Sequence, residues 1–176
     1  MSTGISQENT PSAASQKGAA VEIQQLEPQP TLIIRATIPI DTLPAEVGER
    51  IPALISYIRQ RGAHPAGPPF VRYHTFGEGE TDMEVGIPVK ELVAEEGRII
   101  ASELPGGPII STWHYGPHDA LGQAYARLQA WLDEQGREPD GPTWEVYHWI
   151  DPNATFDPST WDPSTWGTQL IQPIKS

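Results

Sequence analysis

The chain has 176 residues, enough for one domain with a substantial core, and its formal net charge is −12. That charge disfavours direct binding to nucleic acid or to an anionic membrane and favours a cationic partner. The absence of cysteine excludes disulfides, thiolate metal sites and cysteine nucleophiles. The sequence has no apolar run of about 18 residues and its N terminus lacks signal-peptide features, so we expect a cytoplasmic protein with no membrane partner.

The predicted elements begin after a polar N-terminal segment. Residues 1–19 are rich in Ser, Thr, Gln, Gly and Ala without apolar periodicity, which predicts a disordered tail. Residues 20–176 are predicted to form one domain. Its first elements are a short strand at 21–26 and a strand at 31–38, where apolar and β-branched residues predominate.

A helix is predicted over residues 43–61 because apolar residues recur there at helical spacing. The residues of this stripe are Val47, Ile51, Leu54, Ile55 and Ile58. Pro52 lacks the N–H that would bond the carbonyl of Gly48, so we expect a kink or a later helix start. Gly62 is expected to end the helix.

Two strands at 70–74 and 82–89, joined by a turn, complete a β-α-β-β unit, and the same pattern then starts again. The second pattern has a leading strand at 98–103, a strand at 109–114 and a helix at 119–135. The apolar stripe of this helix is Leu121, Ala124, Tyr125, Leu128, Trp131 and Leu132.

Residues of one type also recur 74 positions apart, which indicates an internal duplication. The pairs are Gly62/Gly136, Pro65/Pro139, Gly67/Gly141, Pro68/Pro142, Tyr73/Tyr147 and His74/His148. We place the two repeats at about 20–95 and 96–176. They predict an α+β fold with one antiparallel sheet, two helices on one side of it and a central ligand cleft between pseudo-symmetric halves.

A strand rich in aromatic residues is predicted over 142–149. Strand alternation places three of its side chains on one face, namely Glu145, Tyr147 and Trp149. A carboxylate among aromatic residues is unfavourable in a strand and costly to bury unpaired. Three interpretations remain open: Glu145 faces water, pairs with an arginine such as Arg35 or Arg72, or serves as a binding group.

The second repeat carries an insertion before its last strand. Residues 172–174 match residues 87–89 at an offset of 85, so the insertion has 11 residues (85 − 74 = 11). It contains the sequence Asp-Pro-Ser-Thr-Trp twice in succession, which predicts a long loop of proline-stiffened turns. The aromatic residues of this loop are Phe156, Trp161 and Trp166. They either wall a pocket beside Glu145 or pack on the edge of the domain.

Two motifs in this order, Glu-Val-Gly-Ile-Pro-Val at 84–89 and Trp-Glu-Val-Tyr at 144–147, accompany the tandem β-α-β-β halves. Together they resemble the GyrI-like small-molecule-binding domain, the effector-binding domain of AraC-type and MerR-type multidrug regulators. The resemblance covers about residues 20–175. It implies that Glu145 lies at the bottom of a cleft and binds the positive charge of lipophilic cations.

The resemblance and the aromatic content together define the candidate ligand-binding residues. They are Glu84, Trp113, Tyr115, Glu145, Tyr147, Trp149, Phe156, Trp161 and Trp166. Trp113 and Tyr115 are included because they end the strand before the second helix, although core or rim positions are the alternative. No cofactor is expected. No metal site is expected either, because Gly116 and Pro117 keep His114 and His118 off a shared helical turn.

The resemblance leaves three functions open. The first is binding of amphipathic, cationic or aromatic small molecules, for sensing or sequestration. The second is a cyclopropanoid hydrolase that detoxifies DNA-alkylating antibiotics, with Glu145 and Tyr147 as catalytic residues. The third is a protein-interaction module of the DNA gyrase inhibitor type, with a protein partner. Nothing before residue 20 resembles a helix-turn-helix, so direct contact with nucleic acid is not expected.

Overall fold

The computed structural model describes residues 20–176, and the tail predicted for residues 1–19 lies outside this part of the chain. Within it, eight strands form one antiparallel sheet. The strands are β1 Glu22–Leu26, β2 Gln29–Pro39, β3 Phe70–Phe76, β4 Glu80–Pro88, β5 Ile100–Leu104, β6 Gly107–Tyr115, β7 Trp144–Tyr147 and β8 Gly167–Pro173. The α-helices are α1 Leu43–Gln60 and α2 Leu121–Gln135. The predicted α+β class is confirmed.

The strand order places the two halves side by side. From edge to edge it is β1-β6-β8-β7-β3-β4-β2-β5. The halves meet where β3 pairs with β7, with Val71 opposite Glu145. Each leading strand pairs with the other half, since β1 pairs with β6 and β5 pairs with β2. The halves are therefore pseudo-symmetric, and each completes the sheet of the other.

Both helices pack on the same face of the sheet, as predicted. α1 buries Ile51, Leu54 and Ile58 over β2 and β4. α2 buries Leu128 and Leu132 over β6 and β8. Because each helix covers its own half, the central strands β3 and β7 lie beneath the gap between the helices.

The helix boundaries follow from local residues. α1 begins at Leu43 and continues past Pro52, so a later start is wrong. The proline forgoes one helical hydrogen bond, but Ile51 and Ile55 beside it are buried, and this packing holds the helix through that turn. α2 ends at Gln135 and is capped by Gly136, whose φ of 62° is a left-handed conformation that glycine adopts without strain.

The other face of the sheet carries a packed core that includes Ile33, Phe70 and Trp144. Gly86 belongs to this face, where an added Cβ would lie 2.4 Å from the Phe70 ring, so a larger residue would force the core apart. The space for a ligand is therefore on the helix face. No helix within residues 20–176 combines the length and apolar character needed to span a membrane.

Candidate functional site

A cavity of about 980 Å³ lies between α1 and α2, over the central strands of the sheet. α1 contributes Val47 and Ile51 to its lining, and α2 contributes Leu121 and Tyr125. The lining is mostly aliphatic and aromatic, which is the usual character of a small-molecule site. The volume is in the range that holds a drug-sized ligand.

Glu145 lies on β7 at the sheet side of this cavity, and the residue is only 4% exposed. Its Oε1 accepts a hydrogen bond of 2.9 Å from the Tyr147 hydroxyl, and its Oε2 accepts one from the Tyr125 hydroxyl. Arg35 instead pairs with Asp82, on the other face of the sheet. Within the described residues 20–176, the hydrogen-bond donors to the Glu145 carboxylate are thus two phenol hydroxyls.

The two other interpretations of Glu145 are therefore wrong. The carboxylate does not face bulk water, because it is buried. It does not pair with Arg72 either, since that guanidinium lies 4.0 Å from Glu84. Among residues 20–176 no basic side chain forms an ion pair with Glu145, whose partners are the two tyrosine hydroxyls. This arrangement leaves a buried acidic group with no compensating positive charge.

Burial sets the ionisation of this group. It raises the pKa of the Glu145 carboxyl, while the hydrogen bonds from Tyr125 and Tyr147 act in the opposite direction. The pKa values of Tyr125, Tyr147 and Tyr73 are all raised, first by burial and then by the nearby Glu145 charge. The three tyrosines therefore remain protonated, and Tyr125 and Tyr147 act as hydrogen-bond donors towards the carboxylate.

Aromatic rings form one wall of the cavity. Trp149 and Trp166 stack with ring centroids 4.4 Å apart and planes at 10°. The His118 ring meets both indoles edge-on at 5.2 Å, and it lies 5.5 Å from the Tyr147 ring. Such a wall offers several π faces to a flat or positively charged ligand.

The loop between β7 and β8 completes the wall. Its two repeated segments form short 3-10 turns, and Asp157 and Asp162 cap them by accepting hydrogen bonds from Ser159 and Ser164 backbone N–H groups. The predicted proline-stiffened turns are therefore confirmed. Trp161 lines the cavity and also packs on the core cluster beneath α1. The loop both borders the cavity and packs on the domain, so its two predicted interpretations apply together.

One contact ties this loop to α1. Arg59 donates hydrogen bonds from Nη2 to the carbonyl oxygens of Pro152 and Ala154, at 3.2 and 2.6 Å. Arg59 lies in the last turn of the helix. The base of the loop is thus fixed to the helix that forms the opposite wall of the cavity.

The structure brings six of the nine sequence-predicted residues to this cavity. They are Glu145, Tyr147, Trp149, Phe156, Trp161 and Trp166. Trp113 and Tyr115 do not line it, because alternation along β6 places them with Ile109 on the other face of the sheet. There the rings of Trp113 and Tyr115 stack, with centroids 5.9 Å apart.

Glu84 also lies on the other face, so its assignment to the cleft is wrong. Its neighbours Met83 and Val85 point towards the helices, and alternation turns Glu84 away. The carboxylate forms a hydrogen bond with His74 and faces Arg72. Glu84 is therefore a buried charge with partners, in contrast to Glu145.

Sequence reasoning missed four polar residues of the cavity: Tyr73, His118, Tyr125 and Thr143. Tyr125 was assigned to the apolar stripe of α2, although its hydroxyl reaches Glu145. In the sequence, Tyr73 is marked only by its spacing of 74 residues from Tyr147, which indicates equivalent positions in the two repeats. Among residues 20–176, no group of three or more His, Asp or Glu side chains is placed to hold a metal ion.

Comparison with known proteins gives a family and a fold. The model of the GyrI-like small molecule binding domain matches residues 19–160. No curated protein matches the chain. The C-terminal domain of EcmrR is 21% identical, with a TM-score of 0.74, and the match covers 89% of this chain and 98% of that domain. In a DNA complex, the longer EcmrR chain matches with the same TM-score and 20% identity, and this chain spans 57% of it.

Two other solved structures share the fold at lower identity. A hydrolase encoded by lin2189 from Listeria innocua is 12% identical with a TM-score of 0.59, over 93% of this chain and 96% of that one. SAV2435 bound to tetraphenylphosphonium is 13% identical with a TM-score of 0.61, over 89% and 94%. At these identities the likenesses show the fold alone.

Proposed function

The chain belongs to the family of GyrI-like small molecule binding domains, and on that premise we propose that its cavity binds amphipathic molecules that combine a positive charge with an aromatic or apolar body. The observation that carries this proposal is Glu145, a buried carboxylate in a mostly apolar cavity with no basic partner among the described residues. A sensing or sequestering role follows from such binding.

The positive charge is favoured by the energetics of Glu145. Burying an ionised carboxylate without a counter-charge is costly, and two phenol hydrogen bonds offset only part of that cost. A cation that enters the cavity supplies the missing charge in a region from which water is largely excluded, where the attraction is stronger than in water. A neutral ligand gains nothing from this electrostatic attraction, so the cavity discriminates between ligands by charge.

The aromatic body of the ligand is favoured by the aromatic wall of the cavity. The stacked pair Trp149 and Trp166, with Trp161 beside them, presents π faces that attract cations and pack against flat rings. Such surfaces demand little shape matching, so one cavity accommodates ligands of several shapes. The binding of tetraphenylphosphonium by SAV2435, a protein of the same fold, agrees with this ligand class.

A thermal-shift comparison tests the proposal. Tetraphenylphosphonium should raise the melting temperature of the wild-type protein, because a ligand that binds only the folded state stabilises it by about 2.7 kcal/mol at 100 times its dissociation constant. Triphenylphosphine oxide, a neutral aromatic of similar shape, should raise it much less. The Glu145→Gln variant should lose most of the response to the cation. Equal responses to the cation and the neutral compound in the wild-type protein would contradict the proposal.

Hydrolysis in the same cavity is the second candidate. The observation that favours it is the hydrogen-bonded group of Glu145, Tyr147 and Tyr125, which could pass a proton to or from a bound molecule. Consumption of a cyclopropane-containing alkylating compound, followed by mass spectrometry, would support this candidate. Glu145→Gln should then abolish turnover while the uncharged substrate still binds. Absence of any turnover would leave binding as the function.

A further inference from the structure

His118 is a titratable residue of the cavity wall to which the proposed function assigns no role. It begins the 3-10 turn His118–Ala120 that leads into α2, and its side chain lines the cavity. Its Nε2 lies 2.9 Å from the hydroxyl of the fully buried Thr168. The imidazole is thereby fixed with one edge against β8 and with its ring among the aromatic side chains of the wall.

Three rings surround this imidazole at contact distance. The His118 centroid lies 5.5 Å from Tyr147, 5.2 Å from Trp149 and 5.2 Å from Trp166. A neutral imidazole in this setting acts as a further aromatic wall. An imidazolium in the same place would put a positive charge beside the rings that line the cavity.

We propose that His118 makes cation binding by the cavity dependent on pH, because its neutral form admits a cationic ligand and its protonated form excludes one. This inference rests on the proposed function of the cavity as a cation-binding site. In the protonated form, the imidazolium places a positive charge in the cavity, and this charge repels the ligand and offsets the charge of Glu145.

The surroundings of His118 define when each form is present. Burial, followed by the charge of His114 at the end of β6, lowers the pKa of His118, so the neutral form prevails at neutral pH. The other titratable groups near it are Tyr147 and Glu145 on β7, with Asp119 in its own turn. As the pH falls, the imidazolium forms and cation binding is lost.

Glu145 also contributes to the acid side of the binding profile, so the test must separate the two groups. Protonation of Glu145 removes the attraction for a cation, and this loss persists when His118 is replaced. In the wild-type protein two protonations oppose binding. In a His118 variant only one does. The dissociation constant should therefore rise more steeply with acid in the wild-type protein, by up to about tenfold more for each pH unit.

The experiment measures the dissociation constant of tetraphenylphosphonium, a cation that does not titrate, from pH 8 to pH 5 by isothermal titration calorimetry. His118→Gln keeps a group that can hydrogen-bond to Thr168, and His118→Phe keeps the ring. Both variants alter the wall and change the affinity at pH 8, so the readout is the slope of the profile rather than the affinity. Circular dichroism at each pH checks that the proteins remain folded.

A variant of the neighbouring histidine provides a matched control. His114 lowers the pKa of His118 by charge, so His114→Gln should keep the steep profile and move its acid limb to higher pH. A merely structural role for His118 would change the affinity and leave the slope unchanged. Triphenylphosphine oxide, which has no charge, should show no steep acid limb with any of the proteins.

The outcomes separate this inference from the function on which it rests. A shallower profile in both His118 variants than in the wild-type protein supports it. Identical profiles in the wild-type protein and both variants overturn the role of His118 while leaving cation binding intact. Absence of cation binding by the wild-type protein at pH 8 overturns the proposed function and this inference with it.

Discussion

In the part of the chain that the structure describes, Glu145 is stabilised by the dipoles of hydroxyl groups and not by a counter-ion. The hydroxyls of Tyr147 and Tyr125 each donate to one carboxylate oxygen, and β7 presents the side chain to the space between the helices. The contrast with Glu84, which has His74 and Arg72 as partners, shows how the same residue type takes two roles in one sheet. A paired charge contributes to the fold, whereas an unpaired one has stability to gain from a ligand.

Stability should therefore depend on the charge of Glu145. A carboxyl whose pKa is raised in the folded state binds its proton more tightly there, so its ionised form lowers the stability of the folded protein. This cost is fully present above the folded pKa, and it disappears as the pH falls towards the ordinary glutamate value. Glu145→Gln should thus be neutral or stabilising at pH 8, with a smaller effect at pH 5.

Urea unfolding of the free protein at several pH values measures this difference. Glu138→Gln provides the control, because Glu138 pairs with Lys175 at the surface, where such a pair contributes little. A loss of stability of several kcal/mol in Glu145→Gln at pH 8 would show instead that the carboxylate is a structural residue.

At the level of single residues, the sequence predicted some positions and not others. Alternation along β7 correctly placed Glu145 and Tyr147 on one face. The same rule applied to Met83 and Val85 would have turned Glu84 away from the cleft. For Trp113 the rule is insufficient, because both faces of β6 carry apolar residues and the packing of α2 decides which one faces the helix.

His118 could not be predicted to line the cavity. It lies in a short turn rather than in a strand or helix, so no periodicity assigns it a face. Its ring lies in the wall because the folded chain brings Thr168 and Trp166, which are distant in sequence, beside it.

The loop between β7 and β8 is the element that differs most between the two halves. The sequence predicted its turns, because each Asp-Pro-Ser-Thr segment supplies its own cap. It left open where the loop lies, since long-range contacts such as those from Arg59 carry no local signal. The structure places its aromatic residues at the cavity and on the core.

Tryptophan emission should report ligand binding at this loop. A ligand in the cavity should change the emission of the wild-type protein, and Trp161→Phe should reduce that change because Trp161 lines the cavity. Trp113→Phe is the matched control, since Trp113 lies on the other face of the sheet. Trp161→Ala should weaken binding of an aromatic cation by about 1 kcal/mol. An equal reduction in both phenylalanine variants would place the ligand elsewhere.

The contacts of Arg59 should affect how fast a ligand leaves. Arg59→Ala removes the hydrogen bonds to Pro152 and Ala154, so the base of the loop is held less firmly against α1. We expect dissociation to become roughly fivefold faster, which corresponds to about 1 kcal/mol for a net hydrogen bond. Stopped-flow fluorescence measures this rate.

Arg61→Ala serves as the control for Arg59→Ala. Arg61 follows the same helix and pairs with Glu96, away from the loop. Its replacement should leave the dissociation rate unchanged. If both variants release the ligand at the same rate, the contacts of Arg59 do not control ligand release.

The whole molecule depends on strands shared between its halves. The duplication signal predicted the order of elements and the antiparallel sheet, because local apolar periodicity and turn residues determine that order. It did not predict that β1 would join the second half and β5 the first, since pairing between distant strands is decided by the assembled sheet. The cavity arises at the centre, where β3 pairs with β7.

These shared strands predict cooperative unfolding. All six tryptophans lie in residues 96–176, so their emission is weighted towards the second half, whereas circular dichroism reports both halves equally. The two signals should give one urea transition with the same midpoint. Fragments 20–95 and 96–176, produced separately, should show no cooperative transition. Separate midpoints in the intact protein would mean that the halves are independent units.

The central claim is that Glu145 binds the positive charge of a ligand, and a comparison of two matched ligands tests it most directly. Isothermal titration at pH 8 would measure the dissociation constants of an aryl-trimethylammonium ion and of its neutral tert-butyl counterpart. Each ligand would be measured with the wild-type protein and with Glu145→Gln. The substitution should weaken binding of the cation by about 2 kcal/mol or more, as expected for losing one side of a desolvated charge pair. It should change the binding free energy of the neutral ligand by less than about 0.5 kcal/mol. Equal effects on both ligands would contradict the claim.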